Sequence, residues 1–445
     1  MSFLSLSNFD NKEQWRVYNK IAWRLMPFLL LLYIISFLDR VNVGFAKLQM
    51  SADIGLSEAA YGIGAGIFFL GYCLCEIPSN LLLQRFGAKF WIARIMVVWG
   101  IISTAMLFVQ TPWQFYGMRF LLGIAEAGFY PGIILYLTYW YPARLRSQIC
   151  AIFFLGIALS GIIGGPLSGW IMNTFAGLYG LHGWQWLFLL EGTPAIIFGV
   201  VSYLYLDDGP AQAKWLTAGE KALVVGELEE ENQRKLAAGV GHKFSHAIKD
   251  VNVWLLAFAN FALLSGVYGV SFWMPQIIRD LGVQDFLMNG IVTAVPYAVA
   301  CVGMILIGKH SDRTGERKWH TAACGVLGAI GLVLSGVFAQ QPIISLLGLS
   351  LAMTGALAGL AVMWALPGII LTGAAAAAGI ALMATVGNFG GYIAPITLGL
   401  VKQATGHLEY GLYTMAAAML VGAVLMLLLP TLRSPTVVAA PVAAA

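Results

Sequence analysis

Apolar residues run along this chain in blocks of about twenty, parted by short polar breaks or by Gly and Pro. A helix rises 1.5 Å per residue, so about 20 such residues cross the roughly 30 Å hydrocarbon core of a bilayer. The pattern predicts about twelve spans, at roughly 25–44, 61–83, 90–109, 115–139, 149–171 and 186–206 in a first set, and 253–277, 286–308, 321–339, 343–363, 379–401 and 412–432 in a second. Between the sets lies one long polar segment, 207–250, with Glu227, Glu229, Glu230, Glu231, Arg234 and Lys235. Such a composition is not buried in lipid and reads as a solvated, partly helical linker. The expected architecture is an all-α membrane protein of two six-helix bundles, 1–206 and 251–445, joined by a linker at 207–250.

Composition agrees with the pattern. Of 445 residues 59% are hydrophobic and 10% charged, with mean hydropathy +0.80, whereas soluble domains are about 45–50% apolar and about 25% charged. The net charge of +4 is too small to point to a nucleic-acid partner. Cys73, Cys75, Cys150, Cys301 and Cys324 all sit in apolar stretches, none spaced with His as metal ligands, and read as small core residues.

Charge placement says more than the total. Lys and Arg gather in the N-terminus and every second loop, 20 of the 25, while the alternate loops and flanks hold Arg40, Lys47, Arg279 and Lys402, and Arg119 lies inside the fourth span. Because cytoplasmic loops carry the basic excess, both termini are expected in the cytoplasm. The first twenty residues are polar and lead into a span, so no cleaved signal peptide is expected.

An internal repeat appears at the ends of spans two and eight. Asn80, Gln84, Arg85, Gly87 and Lys89 recur as Gly308, Asp312, Arg313, Gly315 and Arg317, each 228 positions on. Two six-span bundles of like orientation suit a transporter whose substrate site lies between its halves near the midplane. The loop resembles the G-x-x-x-D-R-x-G-R-[RK] signature of the major facilitator superfamily. The second copy, GKHSDRTGER, fits except for Glu316 in place of a basic residue, and in the first Asn80 and Gln84 replace Gly and Asp. SFLDRVNVGFA, EIPSNLLLQRFGAKFWIARIMVVWG, FLLGIAEAGFYPGIILYLTYWYPA, GWQWLFLLEG, SFWMPQII and GNFGGYIAP are similar to the bacterial anion:cation symporter branch, which holds tartrate, phthalate and 4-hydroxyphenylacetate permeases.

Charges inside membrane spans are costly, and each marks a candidate site. Asp39 and Arg40 lie about fourteen residues into span one; Arg119 and Glu126 stand seven apart in span four, two turns along one face. Two arginines and two carboxylates are therefore expected to converge around a cavity. A guanidinium is a permanent planar fork that fits a carboxylate, and a partly desolvated acid can take and release a proton. The resemblance implies the same division, with Asp39 and Glu126 coupling the proton and Arg40 and Arg119 binding the anion. Internal ion pairing that merely fixes helix packing is the competing reading. Tyr72, Trp364 and Asn388 are further candidates for substrate contact. Glu76 is a possible gate residue, Glu191 reads as structural, and the six histidines are given no chemistry. Arg85, Lys89, Asp312 and Arg313 in the signature loops are expected to gate by pairing with helix ends or neighbouring carboxylates.

The expected function is import of a small organic anion by proton symport with alternating access, by a monomer in the bacterial inner membrane. The proton is the coupling ion, and neither a cofactor nor a nucleic-acid partner is expected. The rivals are an anion exchanger and a proton-coupled efflux antiporter of the same fold, the latter because Gly161, Gly165, Pro166 and Gly169 approach the antiporters' G-x-x-x-G-P-x-x-G-G pattern. Enzyme motifs such as HExxH or GxSxG are missing, and channel-like rings of charge are not visible.

Overall fold

The computed structural model describes Phe9 and residues 11–237, 248–367 and 374–430. Twelve helical segments among them are long and apolar enough to cross a membrane. Helix starts carry the expected caps: Asn11 accepts from the Gln14 amide at 2.8 Å, Ser57 from Ala60 at 3.2 Å, and Asp285 from Met288 at 2.8 Å. Pro112 at a first helical turn follows Thr111, which accepts from Gln114 at 3.3 Å.

Two spans differ most from expectation. Span one begins earlier and ends later, as helices Lys12–Val41 and Val43–Asp53 either side of Asn42. Its first turns bury Val17, Tyr18 and Ile21 and run beyond the apolar block. Span four is broken into Pro112–Glu126 and Phe129–Thr138. The break falls at Gly128, whose φ of +83° is left-handed and whose missing Cβ leaves room for the Ser79 hydroxyl.

Packing repeats between the two sets of six. Span one packs on five, two on four and three on six; in the second set seven packs on eleven, eight on ten and nine on twelve. Across the sets, two meets eleven and five meets eight, a pairing that maps onto itself when six is added to each number. At these seams side chains give way to bare backbone: Gly62 and Gly66 face the Pro395 and Tyr392 carbonyls, and Gly165 and Gly290 each face the other's carbonyl. Small residues let the helices come this close.

The polar segment contains helix Ala218–Ala237, three of whose acids reach the first six spans, while Glu229 and Glu230 are exposed. Glu220 pairs with Lys20 at 2.8 Å; Glu227 accepts from the Tyr18 hydroxyl at 2.8 Å and pairs with Arg144; Glu231 accepts from the Ala143 amide at 2.7 Å. The helix is thus strapped to the first six spans. The end of the molecule it covers is the linker face, and the opposite end is the distal face. Part of the linker, 238–247, and the C-terminal residues from 431 lie outside the described residues, as does the Cys150 side chain. Cys324 is buried and Cys73, Cys75 and Cys301 are half-buried.

Candidate substrate and coupling site

Ser36 and Arg40 are four residues apart on span one and share a face, which looks onto the end of the first helix of span four. There the Arg40 guanidinium pairs with Glu126 Oε1, and the Ser36 hydroxyl donates to the same oxygen at 2.7 Å. The other terminal nitrogen of Arg40 donates to the Tyr268 hydroxyl on span seven at 2.9 Å, so this charge pair is tied across the two halves. Phe68 and Tyr72 of span two lie 5.2 and 5.4 Å from the guanidinium carbon, ring centroid to carbon. Arg40 and Glu126 are both buried. Two charges so placed lose most of their hydration and are tolerated because each neutralises the other. Glu126 Oε2 and Arg40 Nε are buried with no hydrogen-bond partner among the described residues.

Of the four expected charges, Arg40 and Glu126 are the two in direct contact, and Asp39 and Arg119 have other partners. Asp39 is one residue, about 100° of helix rotation, from Arg40. Its carboxylate turns into the first bundle and accepts from Trp99 Nε1 at 2.9 Å and the Ser103 hydroxyl at 2.8 Å on span three. Arg119 is fully buried nearer the distal face. It donates to the Gly64 and Ala65 carbonyls at 3.3 and 3.4 Å, with the Phe68 ring 5.0 Å away, and one terminal nitrogen has no partner among the described residues.

Glu76 and Asn388, read separately in the sequence, meet across the halves, the amide donating to the carboxylate at 3.4 Å. Trp364 packs against Phe154 of span five, 6.2 Å between ring centroids. Glu191 accepts from the Ser168 hydroxyl at 2.7 Å within the first bundle.

The signature loops pair within their own halves. The Lys89 backbone amide donates to Asp208 at 2.9 Å and its ammonium lies 5.0 Å from the Tyr203 ring; Arg85 lies over Phe86; Asp312 pairs with Arg317 at 2.5 Å. Arg313 ends the span-eight helix as a basic last turn. Glu316 caps the next helix through the Trp319 amide at 2.9 Å and contacts His320, which in turn meets His310 at 2.7 Å.

Sequence reasoning missed Tyr268 and Ser36, which hold the central pair, and a charged cluster at the distal face. In that cluster Glu58 of span two sits between Lys47 of span one, at 2.9 Å, and Lys402 of span eleven, at 3.4 Å. A hydroxyl in an apolar helix carries no signal of its own, since it can equally bond its own backbone. The cluster did have one: Lys47, Arg279 and Lys402 are three of the four basic residues that depart from the inside bias.

A family profile described as Major Facilitator Superfamily matches residues 29–395. A putative tartrate transporter of Agrobacterium vitis is 45% identical over 414 residues, covering 93% of this chain and 94% of its own length. A quinolone resistance transporter of Acinetobacter baumannii is 41% identical, covering 92% and 94%. Among solved structures, the xylose transporter XylE from E. coli, described as partially occluded and inward open, superimposes with a TM-score of 0.75 at 15% identity over 92% of this chain and 98% of its own. A profile match across most of the chain, close relatives of full length and a shared fold carry one conclusion: this protein is a multi-pass membrane transporter of the major facilitator superfamily.

Proposed function

We propose that this transporter imports a small organic anion together with a proton, using the Arg40–Glu126 pair as the exchange point. The observation that carries the reading is a buried guanidinium whose partners are a carboxylate on its own half and a neutral hydroxyl, Tyr268, on the other. In the empty carrier the pair is neutral. An anion arriving alone at Arg40 would leave an uncompensated negative charge in a buried site, at a cost of several kcal/mol. A proton taken by Glu126 removes that cost: the glutamic acid releases Arg40, whose fork then receives the substrate carboxylate, and total charge in the site is unchanged. Proton and anion therefore enter and leave together. Arg119, buried and lacking a carboxylate partner, supplies positive potential above the site, and Tyr72 and Asn388 offer neutral hydrogen bonds to the rest of the substrate. Asp39 is proposed to share the coupling through its position beside Arg40.

The bias of Lys and Arg supports placing the linker face in the cytoplasm of a bacterial cell. The tartrate transporter's name supports a carboxylate substrate. The test is reconstitution in liposomes with an imposed pH gradient and radiolabelled L-tartrate, followed by competition from aromatic, hydroxy- and sugar acids. Glu126→Gln is expected to abolish accumulation driven by the gradient while exchange of internal for external anion persists. If that variant still concentrates substrate, Glu126 is not the coupling acid.

The name of the quinolone resistance relative favours a second reading, proton-coupled efflux. The glycines of span five that resemble an antiporter motif are used here for contact with span eight: Gly161 against the Tyr297 ring, Gly165 against Gly290 and Gly169 against Phe286. Gradient-driven export of a fluoroquinolone from cells, with no uptake of any carboxylate by liposomes, would select efflux over import.

A further inference from the structure

We propose that the distal cluster is an anion-capture site, held shut by Glu58 in the place of a substrate carboxylate. The inference rests on the reading of the chain as an anion carrier with its distal face outward. Glu58 stands at the first turn of span two and offers one carboxylate oxygen to each half: Oε2 to Lys47 at 2.9 Å, Oε1 to Lys402 at 3.4 Å. Lys402 also reaches Asp280 at 3.5 Å, and Lys47 donates to Gln276 at 3.0 Å, both on span seven. Arg279 donates to the Leu48 carbonyl at 2.7 Å, and the Gln403 side chain accepts from the Ala59 amide at 3.0 Å. Every one of these contacts except Lys47–Glu58 and Lys402–Asp280 joins one half to the other.

In the cluster itself three cations face two carboxylates. The other acids at this face have partners of their own: Asp53 accepts from Trp184 Nε1 at 2.7 Å and meets His182 at 3.2 Å, Asp285 accepts from the Met288 amide at 2.8 Å, and Glu409 meets His407 at 2.8 Å. Lys47 is nearly inaccessible, with the Trp273 and Tyr61 rings 4.7 and 5.2 Å from its ammonium. An ammonium so enclosed needs a carboxylate. When the halves part distally, Lys402 moves with the second half and Glu58 with the first. Lys402 and Arg279 then lose their partners across the seam, and their freed donors are offered locally to an anion from outside. Glu58 competes with that anion for the lysines as the mouth closes, so substrate moves inward before the latch re-forms.

A latch without capture and a latch with capture differ in one respect. Glu58→Gln and Lys402→Gln break the same inter-half pair, but the first leaves a surplus of cations and the second removes one. Two measurements separate the cases, and neither needs a transported substrate, so failure of the transport reading shows separately in the liposome assay. Spin labels at Gln110 and Gln284, exposed on the distal loops of the two halves, are expected to show an added longer-distance population in both variants by double electron–electron resonance. With a cysteine in place of the exposed Ala404 beside the cluster, the rate ratio of an anionic sulfonatoethyl to a cationic trimethylammonioethyl thiosulfonate reagent is expected to rise about tenfold in Glu58→Gln and to fall in Lys402→Gln, the scale of local electrostatic steering. Wild-type distances in both variants overturn the proposal. So does a reagent ratio that moves the same way in both.

Discussion

Arg40 is the residue on which the proposed transport turns, and its geometry says which replacement is informative. Arg40→Lys keeps the charge near Glu126 but cannot hold Glu126 and Tyr268 with two nitrogens of one fork. Loss of one charged hydrogen bond, about 1.5–3 kcal/mol, corresponds to a drop in substrate affinity of roughly tenfold to a hundredfold; isothermal binding to the purified protein reads it directly. Asp39 calls for a different expectation, because its two oxygens accept from Trp99 and Ser103 inside the first bundle. An asparagine there must turn an amide toward one of two donors. Asp39→Asn is therefore expected to lower thermal stability by about 1–3 kcal/mol, which a fluorescence unfolding scan will show as a reduced Tm alongside any transport defect. At this scale the sequence was informative where charge stood in apolar context: Arg40, Arg119 and Glu126 are candidates because lipid makes such residues expensive. It was silent on direction. Asp39 and Arg40 are neighbours in the chain, yet one helical step sends one toward span three and the other toward span seven, and no spacing rule specifies the rotation of span one.

Elements were legible as apolar blocks, and their interruptions were not. The twelve spans follow from length and hydropathy, but the break in span four depends on Gly128 lying opposite Ser79, a contact between spans two and four that no local pattern records. Gly128→Ala places a methyl group in a left-handed residue against that hydroxyl; about 1 kcal/mol of backbone strain, added to the clash, should reduce the Tm and shift Glu126, which ends the helix two residues earlier. The linker helix shows the same limit. Its acidic run reads as solvated, whereas Glu220, Glu227 and Glu231 meet Lys20, Arg144 and the start of span five. The hydrogen bond from Lys20 holds the Glu220 carboxyl below its ordinary range. A lowered acid of this kind stabilises the docked form above the ordinary glutamate range, and that contribution is lost as pH falls through the lowered value. Amide exchange in Ala218–Ala237 is thus expected to become less protected on acidification, and Lys20→Gln should remove that part of the pH dependence.

Across the whole molecule the repeat was the most legible feature, because a 228-residue offset in the loops becomes an offset of six spans in the packing. The signature loops predicted gating at the linker face, yet their described pairs stay within each half, and the ion pair between halves, Glu58–Lys402, is found at the opposite end. That distal seam also has a part with no charge at all, where Gly165 and Gly290 meet carbonyl to Cα. Such a join opens without orphaning a polar group, so it resists parting only through dispersion. It tolerates no thickness either. A leucine at Gly290 would act as a wedge, too wide for the closed seam and easily housed in an open one, and a carrier propped ajar in this way would present to an antibody or a crystal the outward shape that the native chain passes through only in transit.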